Sequence, residues 1–355
     1  MQDKNINLAL QGGGAHGAFA WGVLHRLLDE KWLHIAAISG TSAGALNGAA
    51  VKAGLARHAG MRGRRAAQTN LDCLWREVGQ ASDNSVVRWM HSMLPMPRSL
   101  HRVAEMFSPA AWLDGLTRVF SPYDYGPFYT NTLGPVLRGL PYPDFSNTQG
   151  PRLFVSATNV RTGRIRVFTN HQASVEAVLA SACLPNLFRS VEIHDPDTGR
   201  REAYWDGGFT GNPALFPLYD KALPRDIVIV NINPLMRDGI PKTPVEISDR
   251  VNEISFNSAL MSELRAINFV KRLFAEGRMQ NRPMKNPLIH MILDDTLMND
   301  LSARSKVMPG PGLLERMKEA GQVAADSFIE QHADALNRQD TVDLAELFVG
   351  SGIVG

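Results

Sequence analysis

Cysteine is scarce: Cys73 and Cys183 are the only two, too few for a disulfide framework, and neither has the paired neighbours of a zinc site. A disulfide-stapled fold is excluded, a reducing compartment fits, and no metal or cofactor is expected. No run of 18 uncharged apolar residues occurs, so there is no candidate for a membrane-crossing helix. The opening MQDKNINLALQGGG has no basic stretch followed by an apolar one of leader length. A cytoplasmic location is expected, at most peripheral to a membrane. Charge of one sign is also missing: 37 Lys and Arg against 35 Asp and Glu leave a net charge of +2. No basic run or aromatic stacking motif accompanies it, so nucleic acid is not an expected partner. What is present, 44% hydrophobic and 20% charged residues over 355 positions, is an ordinary globular balance with enough chain for a sizeable core.

Strands and helices alternate from the start. INLAL (6–10) reads as a buried strand, the segment from Ala15 has apolar residues at helical spacing, a second strand lies near Ile38, and a helix follows Ser42. This β-α-β-α order predicts an α/β fold with a mostly parallel sheet and helices on both faces. Residues 55–150 read as an insertion or helical cap, with helices expected at Leu71–Val78, Val86–Met93 and Ser99–Phe107. Strands follow at 152–160 and 164–170, then a short helix at Ser174–Ser181, a hairpin with DPDTG at its tip, and a strand in DIVIVNINP. A long helix is expected from Pro244 to Gly277, with Ile247, Val251, Ile254, Leu260, Leu264 and Ile267 on or near one stripe. A strand at 287–293 and a last long helix complete the C-terminal elements, about 225–348. No linker divides the chain, so residues 1–355 read as one domain.

In AISGTSAGALNG (37–48), Ser42 lies between Gly40 and Gly44, after an apolar β-branched run and before a helical one. G-x-S-x-G between a strand and a helix is the pattern of a nucleophile elbow, although small residues around serine also suit a plain tight turn. Gly12, Gly13 and Gly14 similarly join a strand to a helix and offer unshielded N–H groups to an anion. That anion is either a phosphate or the oxyanion formed when a serine attacks an ester. The phosphate-loop pattern with its lysine is absent, and adjacent parallel strands would set the glycines beside Ser42. A base must then be found. His290 lies on a late strand among apolar residues, where a core histidine with a backbone partner is the plainer reading, and His194 precedes a hairpin tip. Asp206, in AYWDGGFTGNP, ends an apolar strand and is followed by Gly207 and Gly208; an ordinary Asp-Gly turn has the same look.

Four stretches in order, 12–17, 40–44, 180–185 with Pro185, and 206–208, resemble the patatin-like phospholipase family over about Asn5–Pro213. SATNVRTGRIRVF (156–168) is similar to a further family segment. The resemblance implies a patatin-like three-layer fold and a Ser-Asp dyad without histidine. Ser42 would be the nucleophile, Asp206 the base, and the backbone of Gly12, Gly13 and Gly14 the oxyanion hole, with Gly40, Gly44, Gly207, Gly208 and Pro185 in support. It also implies a lipid or fatty-acyl ester substrate, with a phosphate- or nucleotide-binding or non-catalytic regulatory role as the alternative. One departure stands out: His16 occupies a position where many relatives have Arg or Lys. For transient membrane contact, residues 86–107 interleave Trp89, Met90, Met93, Leu94, Met96 and Phe107 with Arg88, Arg98 and Arg102, as a surface flap or as the packed underside of a cap. Arg57, Arg62, Arg64 and Arg65 would meet anionic head groups or simply be solvated.

Overall fold

A computed structural model, describing residues 2–83, 121–124, 133–139, 149–237, 239–278, 285–301, 304–307 and 312–348, buries the first strand on both faces. In β1 (Lys4–Leu10), Ile6, Leu8 and Leu10 enter one hydrophobic core and Ala9 the other. Alternate residues of a strand point to opposite faces, so the two cores are the two sides of one sheet. The neighbours repeat this division: Ile38 and Ala37 of β2 (Leu33–Thr41), and Val228 and Ile227 of a later strand, fall on opposite sides. Near-continuous apolar runs are what a sheet covered by helices on both faces requires.

On one side pack α1 (Gly17–Leu27), α2 (Ala43–Arg57) and α3 (Gly60–Asp83). The short α4 (Leu133–Gly139) and α5 (Val175–Ser181) join the same core through Val136, Leu137, Val178 and Leu179. On the other side lies α6 (Pro244–Ala275), whose Leu260, Leu264 and Ile267 are buried. The remaining strands are β3 (Arg152–Asn159), β4 (Ile165–Thr169), β5 (Val191–Asp195), β6 (Arg200–Asp206), β7 (Asp226–Val230) and β8 (Leu288–Ile292). The sheet order is β5-β6-β3-β2-β1-β7-β8, with β4 also paired to β3. Strands β3, β2, β1, β7 and β8 are mutually parallel; β4, β5 and β6 pair antiparallel. The chain closes with α7 (Asp295–Asp300), α8 (Arg304–Val307), α9 (Leu313–His332) on the α1 side, and α10 (Leu344–Leu347).

The single apolar stripe expected on α6 is divided in two. Leu260, Leu264 and Ile267 are at most 5% exposed, whereas Ile247, Val251 and Ile254 are 47%, 59% and 55% exposed. At 3.6 residues per turn the two triplets point roughly 140° apart. The inward face of the first turns is polar instead: Glu253 and Asn257 are buried there. The expected arginine loop is also different. Arg64 lies on α3, buried, and its guanidinium donates to the carbonyls of Leu28, Glu30 and Leu33. It ties a loop down and is not presented to a head group. The helices expected at 86–93 and 99–107, and the flap at 86–107, lie outside the described residues. Among the described residues no helix is long and apolar enough to cross a membrane.

Candidate active site

Ser42 and Asp206 meet because two strands converge on one edge of β3. Strand β2 runs parallel to β3 and pairs Thr41 with Ser156; β6 runs antiparallel and pairs Asp206 with Ala157. Since β4 covers the other edge through both positions, β2 and β6 share this one and end head to head. The residue after Thr41 is thereby set beside the last residue of β6. The close approach continues at Gly207, where a Cβ would stand 2.2 Å from the Ser156 carbonyl oxygen.

The elbow itself is strained. Ser42 has φ 53° and ψ −123°, a region that residues with a side chain occupy only when their surroundings force them. Packing supplies the force. A Cβ on Gly40 would lie 2.5 Å from the Gly44 carbonyl oxygen, and one on Gly44 would lie 2.1 Å from that of Leu10. The glycines are thus required by the turn and by β1. Gly44→Ala is expected to destabilise the fold by about 1–3 kcal/mol, measured as a lowered urea midpoint with unchanged slope, because the clashing atoms are backbone and cannot rotate away. Ser181 adds a tie that sequence reasoning did not single out: its hydroxyl oxygen accepts from the Ser42 N–H at 2.8 Å. The ASACLP stretch held the signal, since the Cys183 carbonyl two residues later accepts from the Asp206 N–H at 2.8 Å. One short segment, continuing to Pro185, grips both residues.

Ser42 is 7% exposed and Asp206 fully buried. Asp206 Oδ1 accepts from the Gly208 N–H at 2.7 Å, while among the described residues Oδ2 has no hydrogen bond. Burial pushes the Asp206 carboxyl up to about 7, against the opposing pull of the Gly208 N–H and the Ser42 hydroxyl. The hydroxyl is close enough to act on the carboxyl without closing a bond of regular geometry, as is common for reacting pairs in unliganded sites.

The glycine loop lies against the elbow: a Cβ on Gly12 would meet Ser42 Cβ at 2.6 Å. Gly14, at φ +59°, begins the 3₁₀ turn that leads into α1. The three glycines differ, however. The Gly12 N–H donates to Asn212 Oδ1 at 2.6 Å, and its carbonyl accepts from Asn233 Nδ2 at 2.9 Å. Gly12 is committed to the fold, which removes it from the expected set of free donors. Among the described residues nothing accepts from the N–H groups of Gly13 and Gly14. Asn212 and Asn233 were not predicted; both follow strands that end at this edge, and only their distance in sequence concealed them. His16 is buried and bonded to Ser305, and desolvation together with Lys306 and Arg237 drives its pKa down to about 3. It is neutral at ordinary pH and brings no charge to the loop.

His290 is brought to a different place. Its ring bonds Asp226, at the start of β7, and Thr341, each at 3.1 Å, and it is fully buried. His194 lies on β5, exposed, opposite Arg201. Among the described residues no histidine bonds Ser42 or Asp206.

The sequence profile of the family described as patatin-like phospholipase matches residues 8–219. No curated protein matches the chain. Among solved structures the chain is similar to VipD from Legionella pneumophila, at 16% identity and a TM-score of 0.39, over 93% of this chain and 67% of that one.

Proposed function

The chain belongs to the patatin-like phospholipase family, and from that premise we propose that it is a lipid acyl hydrolase cleaving carboxylic esters through Ser42 and Asp206. The observation that carries the reading is the head-to-head ending of β2 and β6, which sets a strained serine against a buried carboxyl with one oxygen unbonded among the described residues. In this reading Ser42 Oγ attacks the ester carbonyl carbon as its proton passes to the Asp206 carboxylate. Carbonyl oxygen becomes an oxyanion, held by the N–H groups of Gly13 and Gly14, each well-aimed donor worth about 3 kcal/mol. Collapse breaks the bond to the alcohol, which leaves with the proton from Asp206. Water then hydrolyses the acyl-serine by the same steps in reverse.

A carboxyl near its ordinary pKa would be a poor base toward a serine hydroxyl. One raised to about 7 by burial is far better matched, while still ionised in a substantial fraction at neutral pH. The committed N–H of Gly12 fits the same scheme, because a loop pinned by Asn212 and Asn233 keeps the next two donors in place before substrate arrives. The substrate class, a phospholipid or lysophospholipid at a membrane surface, rests on the family.

Hydrolysis of fatty-acid esters of graded chain length, with chelator present, tests the proposal. Release of fatty acid that rises with chain length supports it. Failure to hydrolyse any ester, with a nucleotide or phosphate bound at the glycine loop, supports a binding role instead.

A further inference from the structure

We infer that Lys306 is a positioning residue for the glycine loop, its ammonium acting through Asn233 to make the loop receptive to the negative charge that forms on the substrate. The inference rests on the reading of Ser42 as an ester-attacking nucleophile. It starts from two separate contacts of α8 with that loop. The Lys306 carbonyl oxygen stands 2.2 Å from where a Cβ of Gly14 would be, so its backbone is pressed directly on Gly14. Its side chain makes the second contact: Nζ donates to Asn233 Oδ1 at 2.6 Å, and Asn233 Nδ2 donates to the Gly12 carbonyl at 2.9 Å. The neighbouring Ser305 hydroxyl meets His16 Nε2 at 2.7 Å, bracing the following turn.

The charge balance around Lys306 is unusual. The groups that act on it are Glu253, Asp249, Arg237 and His16. Glu253 is already matched by Arg237, through bonds of 2.6 and 2.8 Å, and by Arg250 at 3.3 Å. His16 is neutral. Among the described residues no carboxylate lies within ion-pair distance of Lys306; its one hydrogen bond goes to a neutral amide. The side chain is half-buried, and an ammonium partly withdrawn from water with no ion-pair partner among the described residues adds little to native stability; burial brings its pKa down to about 8 against the pull of Glu253 and Asp249. Such a charge is rewarded only when an anion appears nearby. A tetrahedral oxyanion at Gly13 and Gly14 is that anion, and the interaction strengthens as the oxyanion forms, so it acts on kcat.

The sign of the pH effect follows. Below about 8 the ammonium is present; above it the charge is lost, and hydrolysis should decline on that limb. Lys306→Met is expected to lower kcat on a neutral ester lacking a head group by about 10- to 100-fold, with KM within about twofold, and to abolish the alkaline decline. Its urea midpoint should equal or exceed that of the wild type, an outcome a purely structural lysine would reverse. Lys306→Arg keeps a charge that does not titrate, so it should recover most of kcat and hold it beyond the wild-type limb. That variant and the wild-type profile decide the matter even where Lys306→Met does not fold. An unchanged kcat in Lys306→Met, an alkaline limb that persists in Lys306→Arg, or a defect confined to KM for anionic phospholipids overturns the inference. Ser42→Ala run alongside separates the two levels: activity that needs Ser42 and ignores Lys306 overturns this inference alone, and activity that survives Ser42→Ala overturns the function on which it rests.

Discussion

Ser42→Ala and Asp206→Asn are each expected to reduce hydrolysis of a long-chain fatty-acyl ester by about 10⁴-fold in kcat, and the double variant by no more than the weaker single. The expectation follows from one shared proton. Without the Ser42 hydroxyl there is no nucleophile for Asp206 to deprotonate; without the carboxylate, the hydroxyl has no acceptor in a site where Ser42 is 7% exposed and Asp206 is fully buried. Residues that act as one unit give non-additive losses, so the double-variant cycle is the diagnostic measurement. Independent, multiplying losses would mean that Asp206 merely supports the elbow. Activity retained in Asp206→Asn would require another base, and His290 is poorly placed to be one, since its ring is engaged by Asp226 and Thr341. Alcohol release and fatty-acid release, followed together for each folded variant under single-turnover conditions, separate attack from deacylation.

How much of this arrangement was legible in the sequence depended on the reach of each signal. The elbow was readable because the residues that enforce it are local: Gly40 and Gly44 flank Ser42, and only the partner of Gly44, the Leu10 carbonyl, comes from elsewhere. The β5–β6 hairpin, 191–195 and 200–206, was likewise written in alternation and a turn. Local patterns failed where tertiary contact sets the rule. On α6, apolar spacing alone could not reveal that Ile247, Val251 and Ile254 face outward, because the inward face is decided by the polar neighbours of Glu253 and Asn257. Helix α3 begins at Gly60, well before the expected Leu71, and its Ala67 backbone packs closely on Gly54 of α2, a tertiary contact that local composition does not show. The ties from Asn212, Asn233 and Ser181 join segments 139 to 221 residues apart, beyond any periodicity.

The buried carboxyl also ties activity to stability, and the sign of the link can be worked out. Asp206 in the native protein titrates at about 7, against an ordinary value of 3.8. Between those values the unfolded chain has released this proton while the native state still holds it, so native stability falls as pH rises through the window. The loss is on the order of 4 kcal/mol and complete above about 7. Asparagine carries no charge, retains an oxygen for the Gly208 N–H, and occupies nearly the same volume. Asp206→Asn should therefore be more stable than the wild type at pH 8 by up to roughly that amount, and nearly equal to it below pH 4. Urea unfolding of both proteins across this range measures the difference directly, with every other titrating group common to the two. A variant less stable at pH 8, or a difference that does not change with pH, would show that the carboxyl is not held against its own desolvation. The expected result has a functional reading: the fold tolerates an unfavourable ionised form because the same burial that destabilises Asp206 gives it the proton affinity that attack by Ser42 requires.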